Sequence, residues 1–186
     1  MEVFLEKGYS DTTIEDIGKK AGVTRGAFYH HFESKPAIYY ALLRERNSPA
    51  MGVVTRMMTD TVTPPATLLR EVLAEYLRLM ATNPEFRQAH ELVVLKSAFV
   101  PELEHGLAQK IKSQRALIDW MTSLMARGQE TGAFRKDMDP RDAALVCQGA
   151  LSGVITTELM DPGSTRMAER WGELADLVVR CVAQVN

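Results

Sequence analysis

The stretch from Thr12 to Phe32, TTIEDIGKKAGVTRGAFYHHF, constrains the fold of this 186-residue chain more than any other segment. It contains two short helical patterns separated by Ala21-Gly22-Val23. Two helices joined by a short turn containing Gly form a helix-turn-helix. The residues expected to form the core of this pair are Ile14, Ile17, Ala21, Val23, Phe28 and Phe32. The sequence therefore predicts a compact helical head at this end of the chain.

Helical spacing continues through the remaining sequence, without any sustained period-2 alternation between turn residues. We therefore expect an all-α fold. The first helix is predicted to stop at Gly8, and the second to begin at a Thr12 cap, with Glu15 completing a capping box. Ser34 is expected to cap a long fourth helix, which Pro49 should kink or interrupt.

Proline residues mark the helices of the later sequence. The predicted helices start at Pro64-Pro65, Asn83-Pro84, Pro101, Asp139-Pro140 and Ser164 or Thr165, the last running towards Val185. The chain is expected to divide into a helix-turn-helix head, residues 1–45, and a larger helical bundle, residues 46–186.

The charge distribution favours a local basic surface. The formal net charge is −2, whereas nucleic-acid-binding domains are often strongly basic. Between residues 19 and 35, however, Lys19, Lys20, Arg25 and Lys35 outnumber Glu33, which leaves +3 there and −5 elsewhere. The field in a groove depends on the charges that face it. Any DNA contact is therefore expected through a small basic face on an acidic body.

Several protein classes find no support in the sequence. The four histidines form no HExxH motif, and neither a nucleophile elbow nor a phosphate-binding loop is present. Cys147 and Cys181 fit no metal-ligand or disulfide spacing, which indicates a reducing compartment. No uncharged apolar run approaches the length of a membrane span, and the N-terminus lacks signal-peptide features. We expect a cytoplasmic protein that is not an enzyme, with no cofactor, metal or membrane contact.

The second helix of the predicted pair has a polar face suited to the major groove. If Phe28 and Phe32 face the core, the helical period directs four side chains towards solvent: Thr24, Arg25, Tyr29 and His30. Arg can make paired bonds to guanine, Thr can contact a base edge or the thymine methyl, and Tyr and His can bond phosphates. Gly26 would let the backbone approach the groove closely. On spacing alone, an ordinary helical hairpin with a basic solvated face remains the alternative.

A longer set of residues around this pair resembles a known family. The matching positions are Gly8-Tyr9, Thr12-Thr13-Ile14, Asp16-Ile17, Ala21-Gly22-Val23, Gly26, Phe28-Tyr29, Phe32, Ser34 and Lys35. Together they resemble the DNA-binding head of the TetR family of bacterial repressors. The segments HELVVLKSAFVPEL and GALSGVITTELMDPGS are similar to the multidrug-efflux repressors of the AcrR type. The resemblance implies that residues 46–186 form a ligand-binding and dimerisation domain.

The resemblance also implies roles in DNA binding. By position, the base contacts fall on Thr24, Arg25, Gly26 and Ala27, and the backbone contacts on Thr13, Tyr29, His30 and Lys35. Members of the family usually carry a basic arm and a full first helix before the position of Phe4. Met1 lies three residues before Phe4, so either the arm precedes the present sequence or its phosphate contacts are absent.

Methionine and aromatic residues of the middle helices are candidates for the inducer pocket that the resemblance implies. With one histidine as a polar anchor, they are Tyr76, Met80, Phe86, His90, Trp120, Met121 and Leu124. Methionine is flexible and polarizable, which suits a pocket that accepts varied apolar shapes. For any single one of them, an ordinary core position is the stronger interpretation.

Two apolar stripes near the C-terminus are candidates for a dimer surface. They contain Cys147, Ala150, Leu151, Val154, Ile155, Leu174, Leu177, Val178 and Cys181. Each stripe alone is as compatible with internal core as with an interface, but TetR-like repressors dimerise through their last two long helices. Cys147 is interpreted as a buried structural thiol in preference to a redox-sensing cross-link.

These features predict a homodimeric transcriptional repressor that binds a palindromic operator in double-stranded DNA. A small apolar or cationic inducer would release it, and an efflux system is the expected target of control. The alternative is a helical small-molecule-binding protein without DNA-regulatory activity.

Overall fold

Helices make up the regular structure of the chain. The computed structural model describes residues 1–97 and 100–184, and within them nine α-helices and one 3-10 turn follow one another. They are α1 (Glu2–Asp11), α2 (Ile14–Ala21), α3 (Arg25–His31), α4 (Lys35–Met58), α5 (Pro65–Thr82), α6 (Pro84–Leu95), the 3-10 turn (Pro101–Leu103), α7 (Glu104–Glu130), α8 (Pro140–Met160) and α9 (Met167–Arg180). One isolated antiparallel bridge joins Phe134 and Ala183. The predicted all-α fold is confirmed.

The helices are divided between two compact units. Unit 1 contains Met1–Ala50 and Pro84–Gln109, and unit 2 contains Met51–Asn83 and Lys110–Asn186. Unit 1 therefore combines the predicted helix-turn-helix with α6 and the start of α7, which lie much later in the sequence. The functional boundary at residue 45 remains a prediction.

The core of unit 1 joins the head to α6 and the 3-10 turn. Its buried members are Phe4, Tyr9, Phe28, Ile38, Tyr39, Leu92 and Leu103. Two tyrosines of α4 add polar links. The Tyr39 hydroxyl lies 2.6 Å from Ser97 Oγ, and the Tyr40 hydroxyl donates to the Leu103 carbonyl at 2.7 Å. Because a head this small has little core of its own, the later segment completes it.

The junction of α1 and α2 differs from the prediction by one residue. The predicted cap at Thr12 with Glu15 is wrong, since Thr13 caps α2 and Asp16 completes the capping box. Thr12 is buried instead, and its hydroxyl donates to the Gly8 carbonyl at 2.6 Å. Gly8 has a φ of 78°, so the helical backbone breaks there as expected, although α1 resumes beyond it.

Two glycines shape the turn between α2 and α3. Gly22 caps the end of α2 with a left-handed φ of 69°, which glycine adopts without strain. A Cβ on Gly18 would lie 2.9 Å from the Val23 carbonyl oxygen, so glycine is what lets the turn pack against α2. The expected burial of Ala21 and Val23 is wrong: both are exposed, because this turn faces solvent.

The helix α4 begins as predicted but is not interrupted. Ser34 Oγ accepts a hydrogen bond from the Ala37 N–H at 3.3 Å. The expected interruption at Pro49 is wrong, since α4 continues through it. A proline removes one N–H donor from a helix, and the loss is tolerated here just before Ala50 and Val54, which are buried. Unit 1 nevertheless ends at Ala50, one residue later.

Unit 2 is built on contacts among α5, α8 and α9. The helix α9 starts at Met167, after Arg166 in a left-handed conformation with φ 53°, so the predicted start at Ser164 or Thr165 is wrong. The preceding loop is held by the buried Glu158 carboxylate, which accepts from the Gly163 N–H at 3.0 Å and the Thr165 hydroxyl at 2.5 Å. The predicted helix end near Val185 lies outside the described residues.

The helix α8 corrects one expectation about membranes. An 18-residue window of this 21-residue helix reaches a mean hydropathy of 1.3, so by length and composition alone it could cross a bilayer. The expectation that no apolar run approaches the length of a membrane span is therefore wrong for α8. One face of α8 is nevertheless buried within unit 2, including Ala144, Cys147 and Leu151. This burial is what the core helix of a folded bundle requires.

Candidate nucleic-acid interface

The helix α3 presents a short, largely exposed surface. Thr24 caps its N-terminus, with Oγ1 accepting from the Ala27 N–H at 3.2 Å. Phe28 is buried in the core of unit 1, and its ring packs 5.5 Å from that of Tyr29 in an edge-on arrangement. Tyr29 is 46% exposed and His30 is exposed. A single inward phenylalanine therefore anchors a helix whose other faces are available to a ligand.

Arg25 is held from two sides. Its Nη1 donates to Glu15 Oε1 of α2 at 2.6 Å, and its Cζ lies 5.7 Å from the centre of the Tyr29 ring. The guanidinium is thus oriented by a carboxylate and by an aromatic face. Glu15 did not figure among the residues predicted to form the DNA surface, because its side chain had been assigned to the capping box at the start of α2.

Gly26 has no structural reason to be glycine. Among the described residues, a Cβ placed there would come near Thr24 Oγ1 alone, at 3.9 Å, and its φ is not in the left-handed region. A glycine inside a helix is unfavourable relative to alanine by about 0.5–1 kcal/mol. A glycine on this exposed face would let another molecule approach the backbone of α3 closely.

Thr13 is exposed at the N-terminus of α2, but its hydroxyl already has partners. It accepts from the Asp16 N–H at 3.1 Å and donates to Asp16 Oδ2 at 2.8 Å. A hydrogen bond from Lys7 and these Thr13 contacts lower the pKa of Asp16 to about 2. The Thr13 N–H also donates to Asp16 Oδ2 at 3.0 Å, so both polar groups of Thr13 that could donate are engaged within the capping box in this structure.

Lys35 lies at the first position of α4 and turns towards α1. Its Nζ donates to the carbonyls of Tyr9 at 3.1 Å and Ser10 at 3.3 Å, and lies 4.4 Å from the centre of the Tyr9 ring. Its side chain is only 16% exposed, with a Glu102 carboxylate oxygen 3.9 Å from Nζ. In this structure the ammonium closes the C-terminal end of α1, where a cation complements the helix dipole. Its phosphate contact remains a prediction.

The residues predicted to bind DNA therefore fall into two groups. Arg25, Gly26, Tyr29 and His30 lie on the exposed part of α3, next to its exposed cap Thr24 and the half-buried Ala27. Thr13 and Lys35 lie on other helices and are engaged within unit 1. The roles of all these residues in DNA binding remain predictions.

The seven predicted pocket residues are mostly interior. Met80, Phe86, Met121 and Leu124 are buried, whereas the half-buried members are Tyr76, His90 and Trp120. His90 Nδ1 lies 2.8 Å from the Phe86 carbonyl oxygen, and burial lowers the pKa of His90. In unit 2, the Trp120 indole N–H donates to the Met58 carbonyl at 2.9 Å. Burial also raises the pKa of Tyr76. A ligand role for these residues remains a prediction.

Two surface cavities of unit 2 are lined by residues other than these seven. One of about 500 Å³ is lined by Val62, Thr63, Pro64, Pro65, Arg127, Glu130, Thr131 and Ala133. The other, of about 390 Å³, is lined by Arg135, Lys136, Asp137 and Gln184. Both are partly open to solvent, unlike the enclosed apolar sites that bind small molecules most tightly.

The predicted dimer residues separate into buried and exposed sets. Within the single chain, the buried ones are Cys147, Leu151, Ile155, Leu174 and Val178, while Ala150 and Val154 are half-buried and Leu177 and Cys181 are exposed. Burial, with a smaller contribution from Cys181, raises the pKa of Cys147 to about 12. The larger exposed apolar side chains include Val146 and also Leu145, which the sequence interpretation had not selected. The interface remains a prediction.

The fold and the α3 surface define a class of protein. A helix-turn-helix with an exposed second helix is an architecture typical of DNA-binding regulators of transcription. Residues 1–42 match the family of bacterial regulatory proteins of the tetR type, and residues 64–183 match the C-terminal region of MAATS-type transcriptional repressors. The chain belongs to the tetR family.

Individual relatives agree with this membership. The HTH-type transcriptional repressor DhaR of Mycobacterium sp. (strain GP1) is 32% identical over 142 residues, covering 75% of this chain and 68% of DhaR. The HTH-type transcriptional regulator AcrR of Shigella flexneri is 27% identical over 166 residues, covering 88% of this chain and 76% of AcrR. The resemblance to the TetR family and to AcrR-type regulators is confirmed.

Solved structures extend the similarity to the whole fold. NalD, the secondary repressor of the MexAB-OprM multidrug efflux pump in Pseudomonas aeruginosa, superposes with a TM-score of 0.83 at 25% identity, covering 98% of this chain and 91% of NalD. A complex of SmeT with triclosan gives a TM-score of 0.79 at 26% identity, covering 98% of this chain and 87% of SmeT. The predicted class, a ligand-responsive DNA-binding repressor, is thereby confirmed.

Proposed function

We propose that this chain represses transcription as a cytoplasmic homodimer bound to a palindromic operator, and that a small apolar or cationic molecule releases it. The observation that carries the DNA-binding part is the exposed face of α3. There Gly26 leaves the backbone open beside an oriented Arg25 and a half-exposed Tyr29. Such a surface matches the major groove in both shape and donor chemistry.

The dimer is supported by apolar side chains left exposed on α8 and α9. Leu145 is 49% exposed, Val146 42% and Leu177 47%, although the opposite faces of both helices are buried in unit 2. Exposed Gly149 and Gly153 of α8 would allow another helix to approach closely. A two-fold dimer through this surface would present two copies of α3 to two half-sites, which predicts a palindromic operator.

The ligand is proposed from relatives and from side-chain type. NalD and SmeT are repressors of multidrug efflux pumps, and SmeT has been solved with triclosan, a small apolar molecule. The predicted pocket residues are mostly apolar and include Met80 and Met121, with Tyr76 and His90 as polar groups. A ligand releases DNA if it binds better to a conformation in which the two α3 helices cannot engage both half-sites. We propose control of an efflux system on the same grounds.

The DNA-binding part is tested by selecting duplexes from a random-sequence pool with the full-length chain and measuring affinity by fluorescence anisotropy. We expect a palindromic consensus, and at least tenfold weaker binding by Arg25→Ala and Tyr29→Ala. Arg44→Ala, an exposed arginine of α4 outside the predicted surface, is the matched control and should bind normally. Recovery of no preferred duplex would refute the proposal.

The dimer and the ligand need separate measurements. Leu177→Glu should shift sedimentation equilibrium towards the monomer and weaken operator binding, whereas Val62→Glu, at a residue 91% exposed outside α8 and α9, should change neither.

Triclosan and the apolar cation tetraphenylphosphonium serve as ligand probes. At least one should raise the unfolding temperature and release the selected duplex, and no shift with either would contradict the proposed ligand class.

A further inference from the structure

The ion pair between Glu15 and Arg25 links the two helices of the helix-turn-helix on their exposed side. Arg25 Nη1 lies 2.6 Å from Glu15 Oε1, and the side chains are 67% and 57% exposed, respectively. The Tyr29 ring lies on another side of the guanidinium, 5.7 Å from Cζ. Arg25, the arginine of α3, is therefore held in one orientation by Glu15 and Tyr29, which are themselves accessible.

This pair has little to do with holding the fold together. Ion pairs between two exposed side chains contribute little to folding free energy. The N-terminus of α2 already has its capping box from Thr13 and Asp16. The carboxylate of Glu15 is also the wrong charge for contact with a phosphate backbone, which attracts cations and repels anions. An acid in the first turn of α2 stabilises the helix dipole, but that does not account for its ion pair with an arginine of α3.

The chemistry of arginine supplies an explanation for this ion pair. A guanidinium has five N–H donors, and the bond from Nη1 to Glu15 occupies one of them. The remaining donors include the pairs that match the O6 and N7 acceptors of guanine. A held guanidinium loses less conformational entropy on binding than a free one, so its contact with the correct base is favoured. The nearby carboxylate meanwhile weakens contacts that depend on phosphates alone.

We propose that Glu15 is a specificity-determining residue of the DNA surface: it orients Arg25 for guanine and, by its charge, suppresses binding to unrelated sequences. The inference rests on the proposed function, because it assumes that α3 contacts bases. Glu15 acts through Arg25 and through the local field, so it is a positioning residue rather than a direct base contact. Its loss should strengthen general DNA binding while weakening discrimination.

The test uses the full-length chain and the duplex selected from a random pool by the wild type. The base pair at which Arg25→Ala loses preference identifies the Arg25 contact. Discrimination is then the affinity for the selected duplex divided by that for the same duplex with this base pair replaced. Wild type is expected to discriminate by roughly 10–100-fold. Glu15→Gln should lower this ratio at least threefold and bind a scrambled duplex about threefold more tightly at low salt.

Three further variants separate the two roles of Glu15. Glu15→Asp keeps the charge but shortens the reach, so it should lose discrimination without gaining affinity for the scrambled duplex. Glu15→Gln in an Arg25→Ala background should not change discrimination further. Glu2→Gln removes another exposed acid of the head, one paired with Lys20 at 2.5 Å, and should leave discrimination unchanged. Circular dichroism melts confirm that each variant folds.

The outcomes distinguish this inference from the proposed function. If the wild type selects no duplex, the proposed function fails. If it does select one but Glu15→Gln discriminates as well as the wild type, or better, then Glu15 merely competes with DNA for Arg25 and the inference is overturned. Intact discrimination in Arg25→Ala would overturn it equally, since Glu15 would then have no base contact to orient.

Discussion

Replacing Gly26 by alanine should make the protein more stable and a weaker DNA binder. A Cβ at this position would lie 3.9 Å from Thr24 Oγ1, which is an ordinary van der Waals contact. The backbone there is helical. Alanine is favoured over glycine in helices by about 0.5–1 kcal/mol. For a chain of this size that gain corresponds to a rise of about 1–4 °C in the unfolding temperature.

The effect on DNA binding has the opposite sign. If the backbone of α3 lies against the groove at Gly26, the added methyl must displace either the helix or a base edge. A shift of this kind weakens several contacts at once, and we expect at least a tenfold loss of affinity, about 1.4 kcal/mol. Scanning calorimetry and fluorescence anisotropy with the selected duplex measure the two effects on the same preparation.

Two other glycines serve as controls. Gly52→Ala in α4 would place its Cβ 3.6 Å from Arg56 Nη1, so it should gain similar stability without affecting DNA binding. Gly18→Ala would bring its Cβ to 2.9 Å from a backbone carbonyl oxygen and should lose about 1–3 kcal/mol of stability. If Gly26→Ala gained stability and bound the duplex as tightly as the wild type, close approach at Gly26 would be refuted.

Two further predictions concern Lys35 and His90. Lys35→Met should lower the free energy of unfolding in urea by about 1–2 kcal/mol, because the Lys35 ammonium donates to the carbonyls of Tyr9 and Ser10. If stability were unchanged and DNA binding weaker, Lys35 would instead serve phosphate contact alone. Because burial lowers the pKa of His90, the unfolded chain takes up a proton first as the pH falls below about 6.5, and stability is lost there. Urea midpoints at pH 7.5 and 5.5 should therefore differ less in His90→Gln than in the wild type, and equal differences would contradict this account.

The helix order was predictable from the sequence because proline and capping residues mark most helix starts, but the register of α2 was not. Thr12 with Glu15 and Thr13 with Asp16 satisfy the same capping pattern one residue apart. The choice between them is made by tertiary structure, since the Thr12 hydroxyl is buried and bonds to the Gly8 carbonyl. A local pattern cannot show which of two adjacent threonines will be covered.

The composition of the head core was predictable only in part for a similar reason. Phe28 is buried as expected, but Ala21 and Val23 lie in an exposed turn. The core instead includes Leu92 and Leu103, which reach the head from far along the chain. Helical periodicity identifies the side of a helix that needs covering, but it carries no information about which distant segment covers it.

The helix α8 shows why the sequence could suggest an interface without identifying its face. Apolar and small residues occur on all sides of α8, so its periodicity does not separate an inner from an outer surface. In the folded chain, Leu151 and Ile155 face the interior while Leu145 and Val146 remain exposed. A helix that is apolar all round needs a second partner, and in our proposal another copy of the chain supplies it. A charge introduced at Leu151 should therefore unfold unit 2, whereas a charge at Leu145 should separate the copies and leave each one folded.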